Sequence, residues 1–310
     1  MRRILPLLLL AAACPAAAQR LPQETACEAP APGPPAHAAE AACSFLLDND
    51  IPASPAQRAR VLVDRAFARS LTGAIEGARA DLDAAVRLDP ANLLARSNRA
   101  SVAYGRGHHA AALADLDIVI AADPDFPLAR LSRARVRRAL GDREGADSDL
   151  DAAIAAMPML PEPYALRGDL RRESADPGGA MADYEDALRR QPVNAHVRTN
   201  RAVLLFHFGA PHQAAAEIER ALDEAPPGDP WPLAASGGLA LLAGDTGRAE
   251  AELAAALDRS PRDAMALQLR AILRARLGDA EGSATDAAAA RARQPDIGHQ
   301  ASIIFGLVLP

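Results

Sequence analysis

The sequence predicts an all-α chain: a solenoid of about seven 34-residue helix–turn–helix repeats with capping helices at both ends. Three observations carry this expectation. The first is that prolines fall at 90, 124, 158, 192, 226, 261 and 295, an interval of 34 residues throughout except for one of 35. Glycine, secondly, stands seventeen residues before six of those prolines (Gly73, Gly107, Gly141, Gly209, Gly244, Gly278), with Ala175 as the exception. Thirdly, small and large apolar residues keep fixed places between these two markers.

Each marker has a physical role. Glycine accepts the positive φ of a tight turn and so divides every copy into two segments of about a dozen residues. In the fourth copy, DPGG at 176–179 is expected to supply the turn instead. Proline pushes the residue before it out of the α region and ends the second segment. Twenty-four residues before the prolines stand Ala66, Ala100, Ala134, Gly168, Ala202, Gly237 and Ala271. Twelve before stand Ala78, Ala112, Ala146, Ala180, Ala214, Ala249 and Ser283, and eight before a bulkier residue such as Leu82, Leu116, Leu150, Tyr184, Ile218 or Leu253. On the second helix these sites fall on one narrow apolar stripe. A single pair cannot bury such a stripe, so neighbouring pairs must stack. The extra residue of the long interval is placed in PPGDPWP at 226–232. The copies are therefore 57–90, 91–124, 125–158, 159–192, 193–226, 227–261 and 262–295.

A charged pattern runs through the same frame. Arginine lies twenty-five residues before the proline in six copies (Arg65, Arg99, Arg133, Arg167, Arg201, Arg270), and an acid lies nine before it in all seven (Asp81, Asp115, Asp149, Asp183, Glu217, Glu252, Asp286). Antiparallel helices would bring the two to one height, which predicts an ion pair inside each copy. Ser236 is expected to leave Glu252 without a partner.

Composition narrows the function classes. Half the residues are apolar but only 3% are aromatic, so alanine-lined helix contacts replace a bulky core. There is no lysine, which removes Schiff-base chemistry. The formal charge of −6 is spread with acids and arginines interleaved, unlike the basic stripe of a nucleic-acid binder, so no nucleic-acid partner is expected. No nucleophile elbow, HExxH, P-loop or dinucleotide fingerprint occurs. The histidines are scattered: His108 and His109 border one turn, and His207 and His212 another. Acid pairs such as Asp115 and Asp117 recur with the repeat and read as scaffold. The expectation is a non-enzymatic chain with no cofactor and no metal.

The ends carry their own signals. MRRILPLLLLAAACPAAAQR has a basic start, an apolar stretch and an A-x-A-like site at 16–18, the build of a secretory signal peptide over 1–18 that leaves Gln19 first. An alternative reading takes AAAC as a lipidation site at Cys14, which would make the protein an outer-membrane lipoprotein and a structural component of an envelope assembly machine. No other stretch is long enough to span a membrane. The expected location is periplasmic or secreted, or tethered through Cys14. Residues 19–40 are rich in Pro and Ala. Cys27 and Cys43, two cysteines in an exported chain, are expected to form a disulfide worth about 3 kcal/mol on the chain-entropy model. An N-terminal capping helix is expected over 41–56. In the terminal segment 296–310, Ile303, Ile304, Phe305 and Leu307 are expected to cover the last repeat.

With period, small residue, glycine turn, alanine, large apolar residue, alanine and proline in this order, the chain resembles the tetratricopeptide repeat family. RSNRASVAYGRGHHAAALADLDIVIAADP at 96–124 shows most of the pattern in one copy, while the family's aromatic positions are thinly filled. The resemblance implies a right-handed solenoid that binds a peptide or partner helix in a concave groove lined by the first helix of each pair. On that basis the groove residues are Asn98, Ser101, Tyr104, Arg135, Arg138, Arg172, Asn200, Val203 and Phe206. Asn98 and Asn200 occupy equivalent sites, and their amides can donate to and accept from a peptide backbone. Arg135, Arg138 and Arg172 would make a basic patch suited to an acidic partner or a free carboxylate.

Overall fold

The computed structural model describes residues 22–27 and 36–309, so the expectations for the signal peptide, Cys14 and Gln19 lie outside the described residues. The chain forms two compact units, 1–124 and 125–310. Among the described residues there are seventeen α-helices and no strand. The first unit holds α1 (Pro22–Cys27), α2 (Ala36–Asp48), α3 (Pro55–Leu71), α4 (Ile75–Leu88), α5 (Leu93–Gly105) and α6 (His109–Ala122). The second begins with α7 (Pro127–Leu140), α8 (Arg143–Ala156), α9 (Pro161–Glu173), α10 (Pro177–Arg190), α11 (Ala195–His207) and α12 (Pro211–Glu224). It continues with α13 (Trp231–Ala243), α14 (Thr246–Arg259), α15 (Ala264–Arg276), α16 (Ala280–Arg293) and α17 (Ile297–Phe305).

The punctuation works as the sequence implies, with one difference. Each second helix, from α4 to α16, stops two residues before its proline. The six glycines all take positive φ, between 77° and 84°. In the fourth copy the turn is not made by DPGG: Ala175 itself takes φ 59°, in the left-handed region. DPGG instead opens α10. Asp176 caps it by accepting a hydrogen bond from the Gly179 N–H at 2.9 Å, and Pro177 fills a first-turn place where its missing N–H costs nothing.

Pairs form as α3/α4 and α5/α6 in the first unit, and α7/α8 through α15/α16 in the second. Within each unit the second helix of a pair packs on the first helix of the next, as α4 does on α5 and α14 on α15. The small-residue column is the seam inside each pair. A Cβ added at Gly168 would lie 2.6 Å from the Tyr184 ring, and one at Gly237 would lie 2.7 Å from Leu253. Both partners are completely buried. Glycine in a helix costs about 1 kcal/mol against alanine, and here it makes room for the larger side chain opposite.

All six predicted ion pairs form. Arg65–Asp81, Arg99–Asp115, Arg133–Asp149, Arg167–Asp183, Arg201–Glu217 and Arg270–Asp286 meet at 2.6–2.8 Å. A second arginine joins each acid. It comes one helical turn further on the first helix in four pairs: Arg69, Arg137, Arg171 and Arg274, at 2.7–3.0 Å. Where that position is apolar, at Ala103 and Leu205, Arg96 and Arg198 approach Asp115 and Glu217 from the preceding turn, at 3.3 and 3.2 Å. The acids are thus buried between two guanidiniums each. At Arg99 and Arg270 the hydrogen bond to the acid is the largest effect and raises the pKa.

The sixth copy corrects the expectation for Glu252. Arg248 lies 3.6 Å from it on the same helix and also donates to Ser236 Oγ at 3.3 Å. Arg248 approaches from the second helix, and a cavity of about 240 Å³ opens beside Ser236, lined mainly by Pro211, Ile218, Leu239 and Ala243.

The ends also differ from expectation. The N-terminal cap is α2, over 36–48 rather than 41–56. It stops at Asp48, and a new helix, α3, starts behind a capping box of Ser54 and Gln57. Cys27 of α1 and Cys43 of α2 are joined by a disulfide and buried with Leu46. α17 does more than close the last repeat. It packs against α13, α15 and α16 and reaches α9, so it lies along the first-helix face of several pairs of the second unit.

Candidate functional site

Next to the seam on each first helix lies one column, the residue twenty-three before each proline: Phe67, Ser101, Arg135, Asp169, Val203, Gly238 and Ile272. The neighbouring seam column is uniformly Ala or Gly, whereas this one changes chemistry at every step.

In the first unit Phe67, Ser101 and Tyr104 are exposed and Asn98 is half-buried. Ser101 Oγ donates to the Ser97 carbonyl at 3.1 Å, a bond within the helix that leaves the face open. The Tyr104 ring leans on His109 with centroids 5.4 Å apart.

In the second unit the column runs into a polar cluster centred on Asp169, a residue the sequence reading did not select. Its Oδ1 accepts from Tyr184 Oη at 2.7 Å and from Asn200 Nδ2 at 2.8 Å. Asn200 Oδ1 in turn accepts from Trp231 Nε1 at 3.1 Å. His196 Nε2 lies 3.6 Å and Arg138 Nη1 3.8 Å from Asp169 Oδ2. Burial alone would favour a neutral Asp169, but His196, Arg138 and Arg172 hold its carboxyl well below the usual range. Desolvation opposes the charge on His196, whose side chain is more than half exposed; the neighbouring Asp169 carboxylate outweighs it, and its pKa is raised. Burial first, and Asp169 second, push the Tyr184 phenol well above its ordinary value, so it stays a donor.

Three of the sequence-selected residues, Arg138, Arg172 and Asn200, converge here. The arginines do not make the open basic patch expected of them. Arg135 pairs with Glu162, and Arg138 with Glu173 and Asp169. Arg172 donates through Nε to Tyr184 Oη at 3.4 Å, and its buried Nη1 has no partner. Asn200 and Val203 are buried rather than solvent-facing, at 3% and 1% exposure, and Phe206 is half-buried beside the cavity at Ser236. Among the described residues no group of three or more His, Cys, Asp or Glu is placed to hold a metal, and no helix is long and apolar enough to cross a membrane.

The tetratricopeptide repeat family model matches residues 72–125, 97–158 and 166–230. This chain belongs to the tetratricopeptide repeat family. A search of curated proteins finds no match. Among solved structures it is similar to a tetratricopeptide repeat protein from Parabacteroides merdae, at 20% identity and a TM-score of 0.65 over 80% of this chain and 99% of that one. It is similar to pilF of Pseudomonas aeruginosa, at 16% identity and a TM-score of 0.58 over 70% and 98%. PilW, a type IV pilus biogenesis factor, matches at 22% identity and a TM-score of 0.53 over 64% and 92%. At these identities the likeness speaks for the tetratricopeptide fold alone.

Within the tetratricopeptide frame the cluster was partly visible in advance. Asp169 is the one acid in its column, and Trp231 is the single tryptophan of the chain. What the sequence could not show is that residues from five helices (α7, α9, α10, α11 and α13) join one network around a single carboxylate.

Proposed function

We propose that this protein is a non-enzymatic interaction scaffold of the cell envelope, binding a peptide or partner helix along the first-helix face of its repeats. The observation that carries this reading is the contrast between two adjacent columns. Seven seam residues are all Ala or Gly, while the next column runs Phe, Ser, Arg, Asp, Val, Gly, Ile. From Asp169 onward the chain's own side chains cover this column, but Phe67 and Ser101 stay exposed and Arg135 half-buried, and such a varied open face suits recognition. The basic start, apolar stretch and small residues of 1–18 support export, and the Cys27–Cys43 disulfide fits an oxidising compartment. Arg135 and Arg138 are already neutralised and Arg172 Nη1 is buried, so these three arginines lend little support to a partner bearing a carboxylate.

A photo-crosslinking residue placed at Ser101 or Arg135 in the producing cell tests the reading. A discrete crosslinked partner is expected from these positions and none from Arg87, an exposed residue of a second helix. Equal labelling from all three would refute it. Mass spectrometry of the mature N-terminus decides how the scaffold is held: a free Gln19 for a released protein, an acylated Cys14 for an outer-membrane lipoprotein serving an assembly machine.

A further inference from the structure

The first-helix face of the second unit already holds a helix, and it is the chain's own. α17 buries Ile297, Ala301 and Phe305, each at most 1% exposed, and Leu307 follows at 3%. Phe305 is the anchor. Its ring lies 6.3 Å from that of Trp231, and it occupies the space above Gly238, where an added Cβ would sit 2.7 Å from Cε1. At this copy the variable column has become glycine in mid-helix, a costly residue there, and the space it leaves is filled by that ring.

The seating is well packed but weakly fastened. His207 Nε2 lies 3.0 Å from the Ile304 carbonyl oxygen, at an exposed site. Next to Gly298, Gln268 is 2% exposed and its Oε1 has no partner, an unmet hydrogen bond in the floor beneath α17. An unsatisfied buried acceptor favours states in which it reaches water or a new donor. α17 is nine residues long, too short to be a stable helix away from its seat. Its high local concentration, set by the short link from α16, helps hold it in place.

We propose that this face is a helix-binding surface, that α17 is its resident occupant, and that the partner is an amphipathic helix presenting an aromatic ring to the seat formed by Gly238 and Trp231. Binding then requires α17 to leave, so the C-terminal segment sets the threshold for partner capture. This rests on the scaffold reading above, but its test needs no cellular partner and can fail independently of it.

The probe is a fluorescent peptide of residues 296–309, titrated into the full chain and followed by anisotropy. Apparent affinity scales with the fraction of chains whose seat is open. The Phe305→Ala chain should therefore bind the peptide roughly tenfold or more tightly than the unaltered chain. Adding Gly238→Leu, which fills the vacated seat, should abolish the gain, as should replacing the peptide's own phenylalanine by alanine. If Phe305→Ala unfolds the second unit, hydrogen exchange on the unaltered chain decides: α17 amides must exchange faster than those of α13 and α15. No gain in peptide affinity, or α17 protected as strongly as α15, overturns the proposal.

Discussion

A buried carboxylate held by two guanidiniums is the recurring residue-scale device of this chain. Asp149, 2% exposed, accepts from Arg133 Nε and Nη2 at 2.8 and 2.7 Å and from Arg137 Nη1 at 2.8 Å, with Arg130 at 4.0 Å. Either strong arginine alone leaves the charge partly compensated, so Arg133→Ala and Arg137→Ala should each cost about 1–2 kcal/mol. Removing both leaves a buried charge short of partners, and the double variant should approach about 3–5 kcal/mol, more than the sum of the singles. Urea unfolding of the three variants measures this; simple additivity would mean that the clamp is not shared. At Asp169 the prediction concerns pH. A histidine whose folded pKa is raised contributes its stability fully below its unfolded value of about 6.5 and loses it as pH rises through the folded value. Replacing His196 by alanine should therefore lower the melting temperature more below about pH 6 than at about pH 9, where only its contact with Asn200 remains. Arg172, which opposes the charge on His196, limits the size of the effect. A melting difference independent of pH would remove the His196–Asp169 interaction from the account.

The element scale is where the sequence was most legible. Helix ends, turns and seams follow from the proline interval, the glycines and the small-residue columns, because each is a local rule repeated seven times. The second arginine of each clamp was equally readable from its spacing but alternates between two positions, which hides it from a single-column search. Ala175 shows the limit of reasoning by residue type. The turn demands a left-handed residue at that register whatever the side chain, and DPGG was needed to start α10 instead. An L-residue there costs about 1–2 kcal/mol, part of which glycine returns to unfolded-chain entropy. Ala175→Gly should accordingly stabilise the protein by about 0.5–1 kcal/mol in thermal or urea unfolding. A destabilised variant would show that the left-handed turn is not a source of strain.

At the scale of the whole molecule, the legible part was the part that repeats. Seven copies act as an internal comparison, so scaffold positions separate from variable ones without any outside sequence. The seating of α17 was not legible, since Phe305 and Gly238 are 67 positions apart and each occurs once. In retrospect the Gly237–Gly238 pair inside an otherwise apolar helix was the signal: one glycine faces Leu253 within its pair and the other faces Phe305. The Asp169 cluster escaped for the same reason, being built from single departures in five helices. Underneath both lies one physical requirement, that a helix pair with a narrow apolar stripe has no stable existence alone. Circular dichroism of a fragment spanning residues 159–192 against one spanning 159–261 tests it most directly. The single pair should be largely unstructured, whereas three consecutive pairs should be helical and melt cooperatively. A lone pair that keeps full helicity and melts in a sharp transition of its own would contradict the account.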